Sequence, residues 1–345
     1  MRVFKKILKY TGLTILILLI GISSYVYFSV PKLPEDTDKI IDEVMNNPLP
    51  ELITGKTGYA KSSDINIWYE SILPKDSVKG TILFIMGIAT DGLGWPNKFL
   101  KLFVDSGYQV IRFDHRGTGM SDWLENRDSK NPYSLADMAN DCVAILNTLE
   151  IEKAHIVGVS MGGMIAQELT YYHPDKVQTL TLISTSGNED DPDLPPISKS
   201  TAIKLVTAGI KYGLFSSERN MIKLAVAGGL ILRGDANYEI NIKNKAEIVL
   251  YNLRNRKGYN FKVSFQHLAA VNLSGSRYDK LMMIKAPTFV IHSSLDRFIP
   301  IEHGQKCARI IPNADSLWLD NMGHNISDNL FETISSAIMK HFYKY

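Results

Sequence analysis

The feature that most constrains this chain is a serine between two glycines, at the point where a strand-like run meets a helix-like run. The residues are Gly158, Ser160 and Gly162, in the pattern Gly-x-Ser-x-Gly. A β-branched run (156–159) precedes the serine, and residues 164–169 have helical character. A strand that turns sharply into a helix around a serine forms a nucleophile elbow, which needs small residues two positions before and after that serine. The same pattern also fits an ordinary Gly/Ser turn, so other residues of a catalytic site must decide between the two interpretations.

The composition is that of a folded protein with a large core. Of the 345 residues, 45% are hydrophobic and 21% are charged, and the formal net charge is +2. Without a basic block interleaved with aromatic residues, we expect no nucleic-acid partner. Cys142 and Cys307 are far apart in the sequence, and we expect neither a disulfide framework nor a metal site. Gly117 and Gly119 lack the Lys-Ser/Thr of a nucleotide-binding loop, so we expect no cofactor.

The N-terminal segment has the pattern of a single-pass membrane anchor. Four Arg or Lys residues lie within residues 2–9, and residues 10–30 carry no charge. Roughly 20 such residues match the hydrocarbon thickness of a bilayer. A cleaved signal peptide is the alternative, but the bulky residues 23–30 contain no convincing small-x-small cleavage site. We predict a transmembrane helix within residues 1–30, with a cytoplasmic N-terminus and, by the positive-inside rule, a catalytic domain outside the cytoplasm.

Strand-like and helix-like segments alternate along most of the remaining chain. A polar, proline-bearing linker (31–52) leads into a core that we divide into residues 53–187 and 285–345. Residues 188–284 interrupt the alternation with mostly helical sequence, which we expect to form a cap over one end of the sheet. Repeated strand–helix alternation predicts a mainly parallel sheet with helices on both faces. The predicted fold class is α/β, with a helical cap insertion and the N-terminal transmembrane helix.

Five motifs, all in the same chain order, resemble the α/β-hydrolase fold superfamily from about residue 58 to the C-terminus. They are Gly87 after an apolar strand, the Asp-His-Arg-Gly-Thr-Gly-Met-Ser turn (114–121), the elbow at Ser160, the acid loop around Asp296, and Met-Gly-His ending at His324. The resemblance implies the α/β-hydrolase fold, with the catalytic order Ser, Asp, His.

Within the superfamily, the sequence is most similar to serine esterases and lipases. Met86-Gly87-Ile88, followed by Gly-Trp-Pro (94–96), resembles the branch that includes aclacinomycin methylesterase-like proteins. One residue departs from the family pattern, because Met86 stands where a histidine usually precedes the glycine of the oxyanion loop.

Three residues are the candidates for a catalytic triad. A serine needs a base to remove its proton, and the base needs a third group to orient it. His324 follows a short strand and a glycine, where a base can reach Ser160, and His303 is its rival. Asp296 follows a buried strand by a few residues, and Asp320 is the rival acid. We predict Ser160 as the nucleophile, His324 as the base and Asp296 as the orienting acid.

Backbone N–H groups are the expected stabilisers of the oxyanion that forms during acyl transfer. Met161 supplies one by its position directly after the nucleophile, at the start of a helix. By the resemblance, Ile88 supplies the other. The turn that contains Arg116 is expected to be structural, with the arginine paired locally.

Together these residues predict a membrane-anchored serine hydrolase that cleaves a carboxylic ester of an apolar small molecule or lipid. Thioesterase, amidase, C–C hydrolase, acyltransferase and perhydrolase activities use the same residues on this fold and remain open. A non-catalytic hydrolase-fold binding protein is a further alternative, which the presence of all three triad residues disfavours. The expected partners are the ester substrate and, through the N-terminal helix, a membrane.

Overall fold

The computed structural model describes residues 2–213 and 217–345, and one mixed sheet forms the centre of the described chain. In chain order its strands are β1 (Lys56–Ser62), β2 (Ile65–Ile72), β3 (Gly80–Ile85), β4 (Tyr108–Phe113), β5 (Ala154–Val159), β6 (Val177–Ile183), β7 (Thr288–Ser293) and β8 (Asp315–Leu319). Across the sheet they lie in the order β1-β2-β4-β3-β5-β6-β7-β8. The pairs β1–β2 and β2–β4 are antiparallel, and all the others are parallel.

Helices surround the sheet and fill the interval between β6 and β7. They are α1 (Arg2–Ser29), α2 (Thr37–Asn46), α3 (Asn97–Asp105), α4 (Leu135–Thr148), α5 (Met161–Tyr172), α6 (Lys199–Ala208), α7 (Glu218–Arg233), α8 (Ile242–Asn255), α9 (Val263–Ser274), α10 (Tyr278–Leu281), α11 (Ile301–Ile310) and α12 (Phe331–Phe342). Short 3₁₀ turns cover Gly92–Gly94, Pro174–Lys176 and Asp328–Leu330, and Gly209–Gly213 forms a π-helical turn.

The core lies on both faces of the sheet. Alternate residues of a strand point to opposite faces, so Leu83 and Ile85 of β3 join one buried cluster while Ile82 and Phe84 join the other. Helices α4, α5 and α11 cover the first face, and α3 and α12 cover the second. The prediction of a mainly parallel sheet flanked by helices is therefore confirmed.

The sheet brings the carboxyl ends of several strands to one edge. Because β3 to β8 all run parallel, the loops that follow β3, β5, β7 and β8 emerge on the same side of the molecule. This is the edge where parallel sheets place their ligand-binding loops.

The interval between β6 and β7 holds helices α6 to α10, and residues 214–216 of the predicted cap lie outside the described residues. Helices α7 and α8 share an apolar cluster with α2, which belongs to the predicted linker. Ile41 of α2 is fully buried in that cluster, because Ile41 and Val44 form one apolar face of the helix. The division into core, cap and linker remains a proposal.

The predicted transmembrane helix is wrong. Among the helices of residues 2–213 and 217–345, none combines the length and the apolar character needed to cross a membrane. Helix α1 covers Arg2–Ser29, and its almost wholly apolar run covers residues 13–22. Near its C-terminal end, Ser29 Oγ donates a hydrogen bond to Thr207 Oγ1 (3.1 Å). Three further predictions depended on a membrane-spanning helix and are not supported either. They are the single-pass location, the extracytoplasmic catalytic domain and the membrane partner.

Candidate active site

Ser160 lies at the turn between β5 and α5, in a strained backbone conformation. Its φ is 55° and its ψ is −125°, a region that L-residues rarely adopt and that often marks a functional site. A Cβ on Gly158 would lie 2.3 Å from the carbonyl oxygen of Gly162, and a Cβ on Gly162 would lie 2.1 Å from that of Ile85. Only glycine fits at these two positions, which explains the Gly-x-Ser-x-Gly pattern.

Neighbouring groups hold the backbone of the elbow in place. The Ser160 N–H donates to the carbonyl oxygen of Ile183 (2.9 Å), and Thr185 Oγ1 donates to the carbonyl oxygen of Ser160 (2.7 Å). The positive end of the α5 dipole begins directly after the serine. The sequence analysis did not predict this hydrogen bond from Thr185. Its one signal in the sequence was the position of Thr185 just beyond β6.

His324 connects the serine to a carboxylate. Its Nε2 lies 3.0 Å from Ser160 Oγ, and its Nδ1 lies 2.8 Å from Asp296 Oδ2. A carboxylate can only accept, so Nδ1 carries the ring proton and Nε2 is free to accept the serine hydroxyl proton. Ser160 and His324 are 7% and 8% exposed. The structure thus brings the three predicted residues together in the order of a nucleophile, a base and an orienting acid.

The backbone of His324 is hydrogen-bonded to helix α7 of the predicted cap. Its N–H donates to the carbonyl oxygen of Leu232 on α7 (2.8 Å). A Cβ on the preceding residue, Gly323, would lie 2.3 Å from the carbonyl oxygen of Arg233. The histidine loop and the C-terminal end of α7 are therefore in direct backbone contact.

Asp296 is buried and held on several sides. Its Oδ1 accepts hydrogen bonds from the N–H groups of Phe298 (2.9 Å) and Ile299 (3.0 Å), and His292 Nε2 lies 3.4 Å from Oδ2. Burial acts to raise the pKa of the Asp296 carboxyl, but His324 and His292 outweigh burial and hold that pKa well below its usual value. The carboxylate is therefore ionised at neutral pH, as an orienting group for an imidazole must be.

The two rival residues have other environments. His303 is buried, with Nδ1 2.8 Å from Ser186 Oγ and Nε2 2.9 Å from the carbonyl oxygen of Pro195. Asp320 is exposed, just beyond β8.

Arg116, in the turn after β4, is paired locally as predicted for a structural turn. It forms two 2.7 Å hydrogen bonds to the Asp141 carboxylate on α4.

The loop after β3 lies directly beside the nucleophile. A Cβ on Gly87 would lie 3.3 Å from the Cβ of Ser160 and 3.7 Å from its Oγ. Ile88, the next residue, is half-buried, and Met161 is the first residue of α5. Both backbone segments predicted to supply oxyanion donors therefore adjoin Ser160.

The next features are the two cysteines and the arrangement of potential metal ligands in the part of the chain that the structure describes. Within it, no cluster of three His, Cys, Asp or Glu side chains could hold a metal ion. Cys142 and Cys307 are both buried and unpaired. Burial raises the pKa of the Cys142 thiol and raises the pKa of the Cys307 thiol to about 12, so neither is a reactive thiolate at neutral pH.

Comparison with known proteins finds hydrolases and the α/β-hydrolase fold. A family model described as "alpha/beta hydrolase fold" matches residues 80–212. The rhodomycin D methylesterase DnrP of Streptomyces peucetius is 24% identical over 295 residues, covering 81% of this chain and 96% of the relative. A 2-hydroxy-6-oxononadienedioate/2-hydroxy-6-oxononatrienedioate hydrolase of Cupriavidus pinatubonensis is 28% identical over 249 residues, covering 71% of this chain and 80% of the relative. The solved structure of an esterase from Exiguobacterium antarcticum has a TM-score of 0.64 at 17% identity, covers 84% of this chain and 99% of its own, and shows the shared fold.

Proposed function

We propose that this chain, which is similar to α/β-hydrolase fold proteins, is a serine hydrolase that cleaves a carboxylic ester of an apolar small molecule or lipid. The observation that carries the proposal is the continuous hydrogen-bond path from Ser160 Oγ through His324 to Asp296, with distances of 3.0 and 2.8 Å. A serine hydroxyl is a poor nucleophile by itself and becomes a good one when an oriented imidazole takes its proton.

In the first half of the reaction, Ser160 Oγ attacks the carbonyl carbon of the ester. The hydroxyl proton moves to His324 Nε2, and the ionised Asp296 stabilises the imidazolium that forms. The carbonyl oxygen becomes an oxyanion, which accepts hydrogen bonds from the N–H groups of Met161 and Ile88. The tetrahedral intermediate then collapses, the bond to the alkoxy oxygen breaks, and His324 returns the proton to the departing alcohol.

In the second half, water takes the place of the alcohol. His324 removes a proton from the water as its oxygen attacks the acyl carbon on Ser160. The second tetrahedral intermediate collapses by breaking the bond to Ser160 Oγ, which recovers its proton from His324. The products are a carboxylic acid, an alcohol and the free enzyme.

The relatives support an ester as the substrate class. The likeness to rhodomycin D methylesterases extends over almost the whole length of those enzymes, with 96% and 95% of their chains covered. We therefore place esters of small alcohols, methyl esters included, first among the substrates to be tested. The C–C bond hydrolases among the relatives make carbon–carbon cleavage the alternative to test beside them.

To test this proposal, the purified full-length protein is incubated with a fluorophosphonate probe and, separately, with a panel of methyl, p-nitrophenyl and thiol esters. We expect labelling and ester turnover by the wild type, and the loss of both in Ser160→Ala. The matched control is Ser316→Ala, an exposed serine of β8, which should behave like the wild type. Labelling that persists in Ser160→Ala would refute Ser160 as the nucleophile. Cleavage of a C–C substrate with no ester turnover would refute the ester class while leaving Ser160 in its role.

A further inference from the structure

The loop after β3 contains a strained residue that its surroundings must hold in place. We refer to residues 86–90 as the oxyanion loop. Ala89, in this loop, has a φ of 55° although it is not glycine, and side-chain-bearing residues keep such a conformation only when neighbouring groups stabilise it. A Cβ on Gly87 of the same loop would lie 3.3 Å from the Cβ of Ser160, so the groups that hold Ala89 also hold backbone close to the proposed nucleophile.

A histidine from a distant helix makes the contact that holds Ala89. The N–H of Ala89 donates a hydrogen bond to Nδ1 of His267 (3.0 Å), and the two residues are 178 positions apart in the sequence. His267 belongs to α9, and its other ring nitrogen, Nε2, lies 3.1 Å from the carbonyl oxygen of Arg116. The imidazole therefore bridges the oxyanion loop and the Asp-His-Arg-Gly turn.

These two partners specify one form of the imidazole. A backbone N–H can only donate, so Nδ1 must be unprotonated, and a carbonyl oxygen can only accept, so Nε2 must carry the proton. His267 is fully buried. Burial lowers the pKa of His267 to about 3, and His115 and Arg116 add to the shift, so the neutral form persists at neutral pH.

A second buried histidine holds the start of the same loop. His115 Nε2 lies 2.8 Å from the carbonyl oxygen of Met86 and donates to it. The rings of His115 and His267 meet edge to face, with centroids 5.6 Å apart. Met86 occupies the position at which the family usually has a histidine, so here the histidines that support the loop come from outside it.

We propose that His267 is a positioning residue for the oxyanion loop: it holds the Ala89 N–H, and with it the adjoining Ile88 peptide, in the orientation that lets the Ile88 N–H meet the oxyanion. The proposal rests on the proposed serine-hydrolase function. A misplaced oxyanion donor weakens binding of the transition state more than binding of the substrate, so its loss lowers kcat and leaves KM nearly unchanged.

Three substitutions separate the two hydrogen bonds of His267. In His267→Asn the side-chain oxygen can lie near the position of Nδ1 and accept from Ala89. In His267→Gln the amide nitrogen can lie near the position of Nε2 and donate to Arg116, while the bond to Ala89 is lost. His267→Leu removes both bonds and keeps an apolar side chain of comparable size.

We expect kcat for the best ester substrate to fall about 10- to 100-fold in His267→Gln and His267→Leu, with KM within about twofold, since loss of a whole oxyanion donor costs about 100- to 1,000-fold. His267→Asn should recover most of this loss. Hydrogen-exchange mass spectrometry of the peptide containing Ala89 should show faster exchange in the Gln and Leu variants and near-wild-type exchange in the Asn variant.

His155→Leu is the matched control, because His155 is also a buried histidine with a lowered pKa but lies at the start of β5, at the opposite end from Ser160. It should lower Tm without changing kcat or the exchange of the Ala89 peptide. The proposal is overturned if His267→Leu leaves that exchange unchanged, if His267→Asn loses as much kcat as His267→Leu, or if His155→Leu lowers kcat equally. A wild type that neither hydrolyses esters nor takes the fluorophosphonate probe would overturn both the proposed function and the positioning role of His267 in it. The exchange data would then still show whether His267 holds the Ala89 N–H.

Discussion

Arg256, the residue that follows α8, forms a buried ion pair with Asp114, the residue that follows β4. The Arg256 guanidinium also lies 3.5 Å from a second buried carboxylate, that of Asp91, and sits over the Trp68 ring at 4.6 Å. The buried carboxylates of Asp91 and Asp114 therefore lie beside the same cation, the Arg256 guanidinium. Burial raises the pKa of Asp91 and raises the pKa of Asp114 to about 7, against the attraction of Arg256.

This arrangement predicts that stability falls as the pH rises. The folded Asp114 carboxyl binds its proton more tightly than the same group in the unfolded chain, so its contribution is full below the ordinary pKa of 3.8 and is lost as the pH rises through about 7. The side chain introduced by Asp114→Asn is always neutral, so this substitution should remove the part of the dependence that comes from Asp114. Urea unfolding at about pH 5 to about pH 8 should give a wild-type minus variant difference in unfolding free energy that declines by at most about 1.4 kcal/mol per pH unit. Parallel pH profiles for the two proteins would contradict the prediction.

Asp296→Asn should abolish most of the activity without unfolding the enzyme. An amide can turn its N–H₂ towards Nδ1 of His324 and favour the tautomer whose Nε2 carries the proton and cannot accept from Ser160. We expect kcat to fall about 1,000- to 10,000-fold with a small change in KM. Because the pKa of Asp296 is held well below its usual value, its ionisation should leave no step in the wild-type rate profile near neutral pH. Asp320→Asn, which changes an exposed carboxylate, is the control, and an equal loss in that variant would overturn the choice of Asp296.

Gly162→Ala should disrupt the elbow itself. The new methyl group would lie 2.1 Å from the carbonyl oxygen of Ile85, which the strand cannot relieve without moving. We expect a loss of at least about 3 kcal/mol in unfolding free energy and no measurable fluorophosphonate labelling. Gly228→Ala is the matched control, because that glycine lies within α7 with nothing within 4 Å of its would-be Cβ. It should gain up to about 1 kcal/mol, and a similar cost at both sites would show that the close contact is not the cause.

Ile41→Ala should show whether α2 is a structural part of the cap. Ile41 is fully buried against α7 and α8, and a buried Ile→Ala change costs about 2–5 kcal/mol. Chemical unfolding followed by far-ultraviolet circular dichroism measures the loss. Ile203→Ala, at a 47% exposed position of α6, should stay within about 0.5 kcal/mol of the wild type. If Ile41→Ala is equally mild, residues 31–52 act as the spacer that their composition suggests.

The parts that the sequence could predict depend on short-range patterns. Gly158 and Gly162 are required by contacts within one strand–turn–helix unit, so the elbow could be read from five residues. The loops of Asp296 and His324 follow parallel strands, whose carboxyl ends must meet at one edge of a sheet. Their proximity to Ser160 was therefore foreseeable once the strands were identified.

The parts of the fold and of the site that were not predicted depend on contacts between residues far apart in the sequence, which no local pattern indicates. The contact between His267 and Ala89 depends on the path of the insertion over the core, and the only local signal was the missing histidine at Met86. Helix α2 looked like linker because its neighbours are polar and proline-rich, while its apolar face became visible only against the cap. The N-terminal segment was predicted to cross a membrane from its uncharged residues 10–30 and its apolar run 13–22, but none of the described helices could do so.

The backbone contact between His324 and Leu232 sets a rule for engineering this enzyme. The backbone N–H of His324, the proposed catalytic base, donates to a carbonyl oxygen in the C-terminal turn of α7, with no space for a side chain at Gly323. A chimera that exchanged the cap for one with another pocket would therefore have to present a carbonyl oxygen at the same point. In such an exchange, the junction at Leu232 and Arg233 would have to be transplanted intact.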